Sequence, residues 1–267
     1  MIEYMEQFKK SFKDYFSKHS DLYLKYRPTY PVELFEYLST LTQEHDLAWD
    51  CGTGNGQAAT GLTKFYKNIF ATDPSEEQIR NALPHKKIIY RVEKAEHSTL
   101  NNNSVDLITA AQALHWFEFD KFYAEAKRVL KENGIIAVWI YKLPLISCEI
   151  DKIIKHFHDY TVDEFWQFEN RLVEKKYSTL HFPFEELPTP EFSIEKFLTL
   201  PELLGLIHSW SAVQRFIQKT GRDPVLELKD KLMTCWGLPE QKRKIKWKLT
   251  LKVGKNNFSL GRILASL

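Results

Sequence analysis

The sequence has no run of apolar residues approaching the ~20 that span a bilayer. Its first ten residues, MIEYMEQFKK, lack the apolar core of a secretory signal. It has only three cysteines, Cys51, Cys148 and Cys235, scattered and odd in number. They form neither a zinc spacing nor a disulfide framework, so they read as reduced thiols. Neither sign of charge is in excess: the net charge is +2, too little for a global field that would gather nucleic acid or a membrane surface. Repeats and low-complexity tracts are absent. The nine histidines scatter without ligand spacing, so no metal is expected. These absences leave a soluble cytoplasmic protein as the expectation. The 43% apolar share over 267 residues suits one α/β domain with an insertion or a small cap.

What is present is alternation. LAWD, NIFATD, KIIYRV, VDLITAA and IIAVWIY read as five short strands. Between them, QAATGLTKFY, PSEEQIRNAL and FDKFYAEAKRVLKENG read as helices, the last stopped by Gly134. Strands alternating with helices predict a parallel sheet covered on both faces. After Tyr141 the pattern changes. Residues 142–236 are rich in aromatics, with helical periodicity in IDKIIKHFHDYTVDEFW and PELLGLIHSWSAVQRFIQ and a strand signal around EFSIEKF. RKIKWKLTLKV then alternates: Ile245, Trp247, Leu249, Leu251 and Val253 share one face, and Lys244, Lys246, Lys248 and Lys252 the other. That predicts a strand with one buried face near a sheet edge guarded by lysine.

Glycine is sparse elsewhere but dense in LAWDCGTGNGQAA, where Gly52, Gly54 and Gly56 follow a buried strand and precede a helix. One glycine there would be an ordinary turn residue. Three in alternation between strand and helix predict a ligand-binding loop. GNGQAA also satisfies a dinucleotide pattern, with Asp73 placed to bind ribose. Two features oppose a dinucleotide. Asp50 at the strand end would repel a pyrophosphate but favour an ammonium. About fifty residues precede the motif, whereas dinucleotide sheets usually begin with it.

Asp50-x-Gly52-x-Gly54-x-Gly56, Asp73-x-Ser75, KAEHSTLNNNSVDLITAAQALHWF and AKRVLKENGIIAVW together resemble the class I S-adenosylmethionine (SAM)-dependent methyltransferases of the methyltransferase-11 type. YRPTYP and HSWSAVQRF are similar to segments of the trans-aconitate methyltransferase-like branch. The resemblance implies an α/β fold with a seven-stranded, mostly parallel, doubly wound sheet whose last strand is antiparallel, carrying a helical cap. It implies SAM as cofactor and S-adenosylhomocysteine as product. Residues 1–45 would form an N-terminal helical lid, 46–141 the SAM-binding core, 142–236 the cap for substrate, and 237–267 a strand completing the sheet. The glycine backbone and the following helix N-terminus would hold the methionine carboxylate, with Asp50 and Gly52 facing its ammonium. Asp73 would accept from the ribose hydroxyls, Ser75 and Gln78 would flank the adenine, and Ala95 and Glu96 would face its edge. Gln78 stands where the family usually has an apolar residue, and Glu96 also has a plain reading as a solvated loop residue. Gln112 would line the cofactor floor. Tyr26 and Arg27 would close over the methionine end.

The methyl acceptor is read mainly from absences. AQALHW follows the fourth strand in place of an Asn/Asp-Pro-Pro-aromatic segment, and Cys51 lies in the cofactor loop rather than in a nucleophile loop of its own. The aromatic cap suits an enclosed pocket for a small molecule, and a carboxylate would need no base. No catalytic residue is assigned. His115 is the one candidate base, with a pocket wall as its other reading. His115 and Trp116 would line the pocket beside the sulfonium. Trp210 and Arg215 would meet the acceptor, or be core and surface of one cap helix. Methylation of RNA or protein, a SAM-binding module without transfer, and an NAD-type oxidoreductase are the competing readings.

Overall fold

The structure, a computed structural model, describes residues 29–167, 169, 177 and 181–257. Eight strands run β1 (Leu47–Cys51), β2 (Asn68–Asp73), β3 (Ile88–Val92), β4 (Val105–Ala111), β5 (Leu130–Tyr141), β6 (Glu185–Leu187), β7 (Ser193–Leu198) and β8 (Arg243–Lys255). Helices α1 (Val32–Leu41), α2 (Gln57–Leu62), α3 (Glu76–Arg80) and α4 (Phe119–Val129) accompany the first five strands. Helices α5 (Cys148–His156), α6 (Leu200–His208), α7 (Ser211–Thr220) and α8 (Pro224–Trp236) follow. None of the described helices is long and apolar enough to cross a membrane.

The sheet order is β3-β2-β1-β4-β5-β8-β6. The first five strands are parallel, and β8 is antiparallel to both β5 and β6. The chain works outward from β1 to β3, then returns to lay β4 along the other side of β1. That reversal opens a crevice at the C-terminal ends of β1 and β4, where open α/β sheets bind ligands. Apolar side chains cover both faces of these strands. Trp49, Ile108, Phe122 and Val138 pack on one face, and Leu34, Phe35, Leu62, Leu107 and Trp139 on the other. This double burial explains why β1 and β4 are almost continuously apolar rather than alternating.

Strand β8 serves two layers. Its second half, from Leu249 to Lys255, pairs with Tyr141 to Ile135 of β5. Its first half, from Arg243 to Lys248, pairs with Leu198 to Ser193 of β7. Ile245 and Trp247 in that first half join Ile154, Leu203, Val213, Leu228 and Trp236 in the cap's own core. The cap is therefore rooted on the strand that completes the sheet. The alternation seen in the sequence sets this up, since Ile245 and Trp247 are buried together.

Four boundaries differ from the sequence reading. The helix expected to run to Gly134 ends at Val129, because Leu130 already pairs with Val105 as part of β5. Strand β8 lies one place in from the edge, with β6 and β7 along its outer side. PELLGLIHSWSAVQRFIQ is two helices, α6 and α7, split at Ser209–Trp210. Helix α1, assigned to a lid, instead packs Leu34, Phe35 and Leu38 into the sheet core. Tyr26 and Arg27 lie outside the described residues.

Candidate active site

The glycine loop leaves β1 at Cys51 and enters α2 at Gln57, and its three glycines sit at φ +67°, +55° and +88°. Each has a different reason to lack a side chain. A Cβ on Gly52 would lie 2.5 Å from Ala113 Cβ, and one on Gly56 would lie 2.2 Å from Tyr90 Oη. A Cβ on Gly54 would meet only Gln78 Oε1, at 3.8 Å. Gly52 and Gly56 are therefore bare because the protein itself packs against them. Gly54 is bare beside open space, which is where a ligand fits.

Asp50 does not face that space. Its carboxylate is fully buried beneath the loop and accepts from Thr53 Oγ1 at 2.5 Å, Thr109 Oγ1 at 2.7 Å and the Ala59 backbone N–H at 3.0 Å. Burial raises its pKa to about 6 despite those three donors. Thus Asp50 ties β1, β4, the glycine loop and the first turn of α2 together in an internal knot.

Asp73, at the end of β2, is half-buried. Its Oδ2 accepts from Gly54 N–H at 2.9 Å and its Oδ1 from Ser75 N–H at 2.9 Å. Both oxygens are thereby oriented at the mouth of the crevice. Ser75 is buried and caps α3, its Oγ accepting from Gln78 N–H at 3.3 Å. Gln78 is buried with its Oε1 toward Gly54. Ala95 is buried and Glu96 half-buried in the turn after β3. Glu96 Oε1 accepts from Glu118 N–H at 2.8 Å, at the start of α4. The sequence reading missed Asn55. It lies inside the glycine loop, 3% exposed, and its Nδ2 has no partner among the described residues. A polar residue between two glycines was the available signal.

At the end of β4, Gln112 takes φ +55°, a left-handed conformation unusual for a side-chain-bearing residue. Its N–H donates to Trp139 O at 2.9 Å and its Nε2 to Tyr141 O at 2.9 Å. This bend turns the chain into a single tight turn, Leu114–Trp116, which carries His115 and Trp116. Gln112, His115 and Trp116 border a cavity of about 990 Å³ that extends beneath the cap to Trp166, Trp210 and Trp247. Trp210 and Trp166 ring centroids are 6.0 Å apart. Arg215 is not on this wall. Its Nη1 donates to Phe165 O at 2.8 Å, binding α7 to the turn that precedes it in the cap. That contact supports the reading of Arg215 as part of the cap's own packing. Lys142, Lys155, Lys246 and Lys248 border the cavity, as do Asp159, Asp163 and Glu191.

Comparison with known proteins decides the family. Residues 49–138 match the family model described as a methyltransferase domain. A protein of Dictyostelium discoideum named as a methyltransferase is 35% identical over 229 residues, spanning 84% of this chain and 87% of that one. The chain belongs to the class I SAM-dependent methyltransferases. A solved structure of an Anaeromyxobacter dehalogenans protein named as a type II methyltransferase is 38% identical, with a TM-score of 0.81 over 86% of this chain and 98% of that one. A Saccharomyces cerevisiae protein named as a SAM-dependent methyltransferase is 27% identical over 49% of this chain and 47% of its own. The methyltransferase assignment sets aside the oxidoreductase reading. It makes SAM the cofactor of this protein and the mostly parallel, doubly wound sheet its family fold.

The crevice suits that cofactor chemically. SAM carries a carboxylate, which needs N–H donors, and a ribose diol, which needs an acceptor. Asn55 Nδ2 is a buried donor without a partner among the described residues. Asp73 is an acceptor whose two oxygens are oriented by Gly54 N–H and Ser75 N–H. The backbone of Gly54, next to Asn55 in the chain and bonded to Asp73, is bordered by open space that a larger side chain would enter.

Proposed function

We propose that this methyltransferase modifies a small molecule, with a carboxylate as the acceptor class. The observation that carries the reading is the cavity of about 990 Å³ between the ends of β4 and β5 and the cap. It has the dimensions of a small-molecule site, with aromatic walls at Trp116, Trp166, Trp210 and Trp247 and many polar and charged groups between them. Lys142, Lys155, Lys246 and Lys248 on its border supply cations for an anionic acceptor, set against the carboxylates of Asp159, Asp163 and Glu191. The resemblance to the trans-aconitate methyltransferase-like branch supports the same class.

In this reading Asp73 accepts from the ribose hydroxyls, and Asn55 with the loop N–H groups holds the methionine carboxylate. Ser75, Gln78, Ala95 and Glu96 enclose the adenine, and Gln112 forms the floor. Asp50 holds the loop in shape for them. The cofactor supplies a methyl already activated on a sulfonium, so the protein contributes mainly position and exclusion of water. Residues 142–236, with β8, form the substrate cap over the 46–141 core.

Nucleic acid fits the surface less well. Lys244 meets Glu195 at 2.7 Å and Lys252 meets Glu186 at 3.1 Å, so the lysine face of β8 is largely paired. All three cysteines are free thiols, which supports the cytoplasmic placement within this proposal.

The deciding experiment incubates the protein with methyl-labelled SAM and a metabolite extract, alongside RNA and protein fractions. Label is expected in the low-molecular-weight fraction, and mild base is expected to release it as methanol from an ester. Label confined to RNA or protein would overturn the proposal.

A further inference from the structure

His115 and Tyr177 form a pair that a proton-abstracting histidine does not explain. His115 is 6% exposed, and its Nδ1 lies 2.8 Å from Tyr177 Oη. Tyr177 is itself buried, at 1% exposure, and its backbone sits at φ +56°. A non-glycine residue in that left-handed region persists only where its surroundings hold it there. Here the ring packs in the sheet core beside Tyr123 and Phe182, with the hydroxyl directed at the imidazole.

The hydroxyl decides which ring nitrogen carries hydrogen. A buried O–H that fails to donate bears the full cost of its desolvation. The neighbouring hydroxyl, Tyr123 Oη, has no partner among the described residues, so it does not receive this hydrogen. Among the described residues, Nδ1 of His115 is the acceptor that remains. A neutral imidazole has one N–H, and with Nδ1 accepting, that hydrogen is on Nε2. Burial also pushes the His115 pKa down to about 3, so the ring is neutral across the physiological range. Among the described residues Nε2 has no partner, and His115 borders the cavity.

We propose that Tyr177 locks His115 as a hydrogen-bond donor, whose Nε2–H orients an oxygen of the methyl acceptor. The proposal rests on the small-molecule reading above and narrows it. A protonated Nε2 cannot take a proton from the acceptor, so this donor suits an acceptor that meets the methyl as an oxyanion, and a carboxylate is already one at neutral pH. An oxygen lone pair then forms the new C–O bond while the C–S bond breaks and leaves its electron pair on sulfur. The carboxylate becomes a neutral ester, the sulfonium becomes a thioether, and no proton moves. Tyr177 acts through His115 and is a positioning residue.

Imidazole nitrogen NMR on protein labelled with ¹⁵N-histidine tests the first half without any acceptor. The His115 signals are assigned by their loss in His115→Asn. A protonated Nε2 and an unprotonated Nδ1 are expected, unchanged from about pH 5 to 8. In Tyr177→Phe the second tautomer should appear. A wild-type ring protonated at Nδ1, or titrating in that range, would overturn the proposal. The second half is read from label transfer to the extract. His115→Leu should lose about ten- to a hundredfold in rate, the cost of a lost hydrogen bond to a charged group. His115→Gln, which keeps a side-chain N–H, should lose markedly less. Equal losses in both variants, with a wild-type rate that rises through the histidine range, would make His115 a base and sink the idea. Absence of label from every small molecule would instead defeat the small-molecule reading and the acceptor half with it, while the tautomer result still judges the lock.

Discussion

Gly54 donates its backbone N–H to Oδ2 of Asp73 across 2.9 Å, joining the glycine loop after β1 to the end of β2. The bond makes the loop and the carboxylate proposed to bind the ribose one unit. Asp73→Ala should therefore weaken SAM binding by about 1.5–3 kcal/mol, the cost of a charge-assisted contact, and loosen the loop as well. Calorimetry with SAM measures it. Unchanged affinity would take Asp73 out of the site.

The three glycines should separate in their effects. Gly54→Ala has room for its methyl, so it should cost about 1–2 kcal/mol of stability from its left-handed backbone, with a larger fractional loss in SAM affinity. Gly56→Ala must displace Tyr90 and should lower the melting temperature further. Melting curves with and without SAM distinguish the two. Normal SAM binding by Gly54→Val would reduce the loop to a turn.

Asp50 should leave a signature in the pH dependence of stability. Burial raises its folded pKa from 3.8 to about 6, so the folded protein holds this proton more tightly than the unfolded chain does. The stabilisation is full below about pH 4 and is lost as pH rises through about 6. Between those values the wild type should lose on the order of 2–3 kcal/mol relative to Asp50→Asn, which cannot titrate. Urea denaturation of both proteins at several pH values checks this. A gap that stays constant with pH would mean that Asp50 is ionised at no cost.

Arg215 and Trp210 lie close in sequence but should behave differently. Arg215→Ala removes the donor to Phe165 O and should lower the melting temperature while leaving methyl transfer at saturating acceptor within about twofold, as expected of a group outside the site. Trp210→Leu should change the apparent KM for the acceptor, because Trp210 borders the cavity. If Arg215→Ala raised that KM and left stability alone, Arg215 would belong to the substrate site.

The parallel core was legible because its signals are local. Strands β2 and β4 begin and end where NIFATD and VDLITAA do, since both are apolar runs bounded by turn residues. The end of α4 was not legible. Leu130 to Asn133 carry a helical pattern, and pairing with β4 overrides it. The three-residue strand β6 exists only because β8 lies beside it.

The sequence by itself determined the alternation of the core and the place of the glycine loop, because strand periodicity and glycine spacing are properties of neighbouring residues, and its motifs carried the resemblance that implied the family and its cofactor. Only the tertiary structure decided what each site residue faces. It turned Asp50 inward onto two threonines and an N–H, set Arg215 against a cap carbonyl, exposed Asn55 as a buried donor, and brought Tyr177 to His115 across 62 positions of chain. The physical reason is that a side chain's role depends on which groups reach it through space, and no local pattern records contacts closed over such distances.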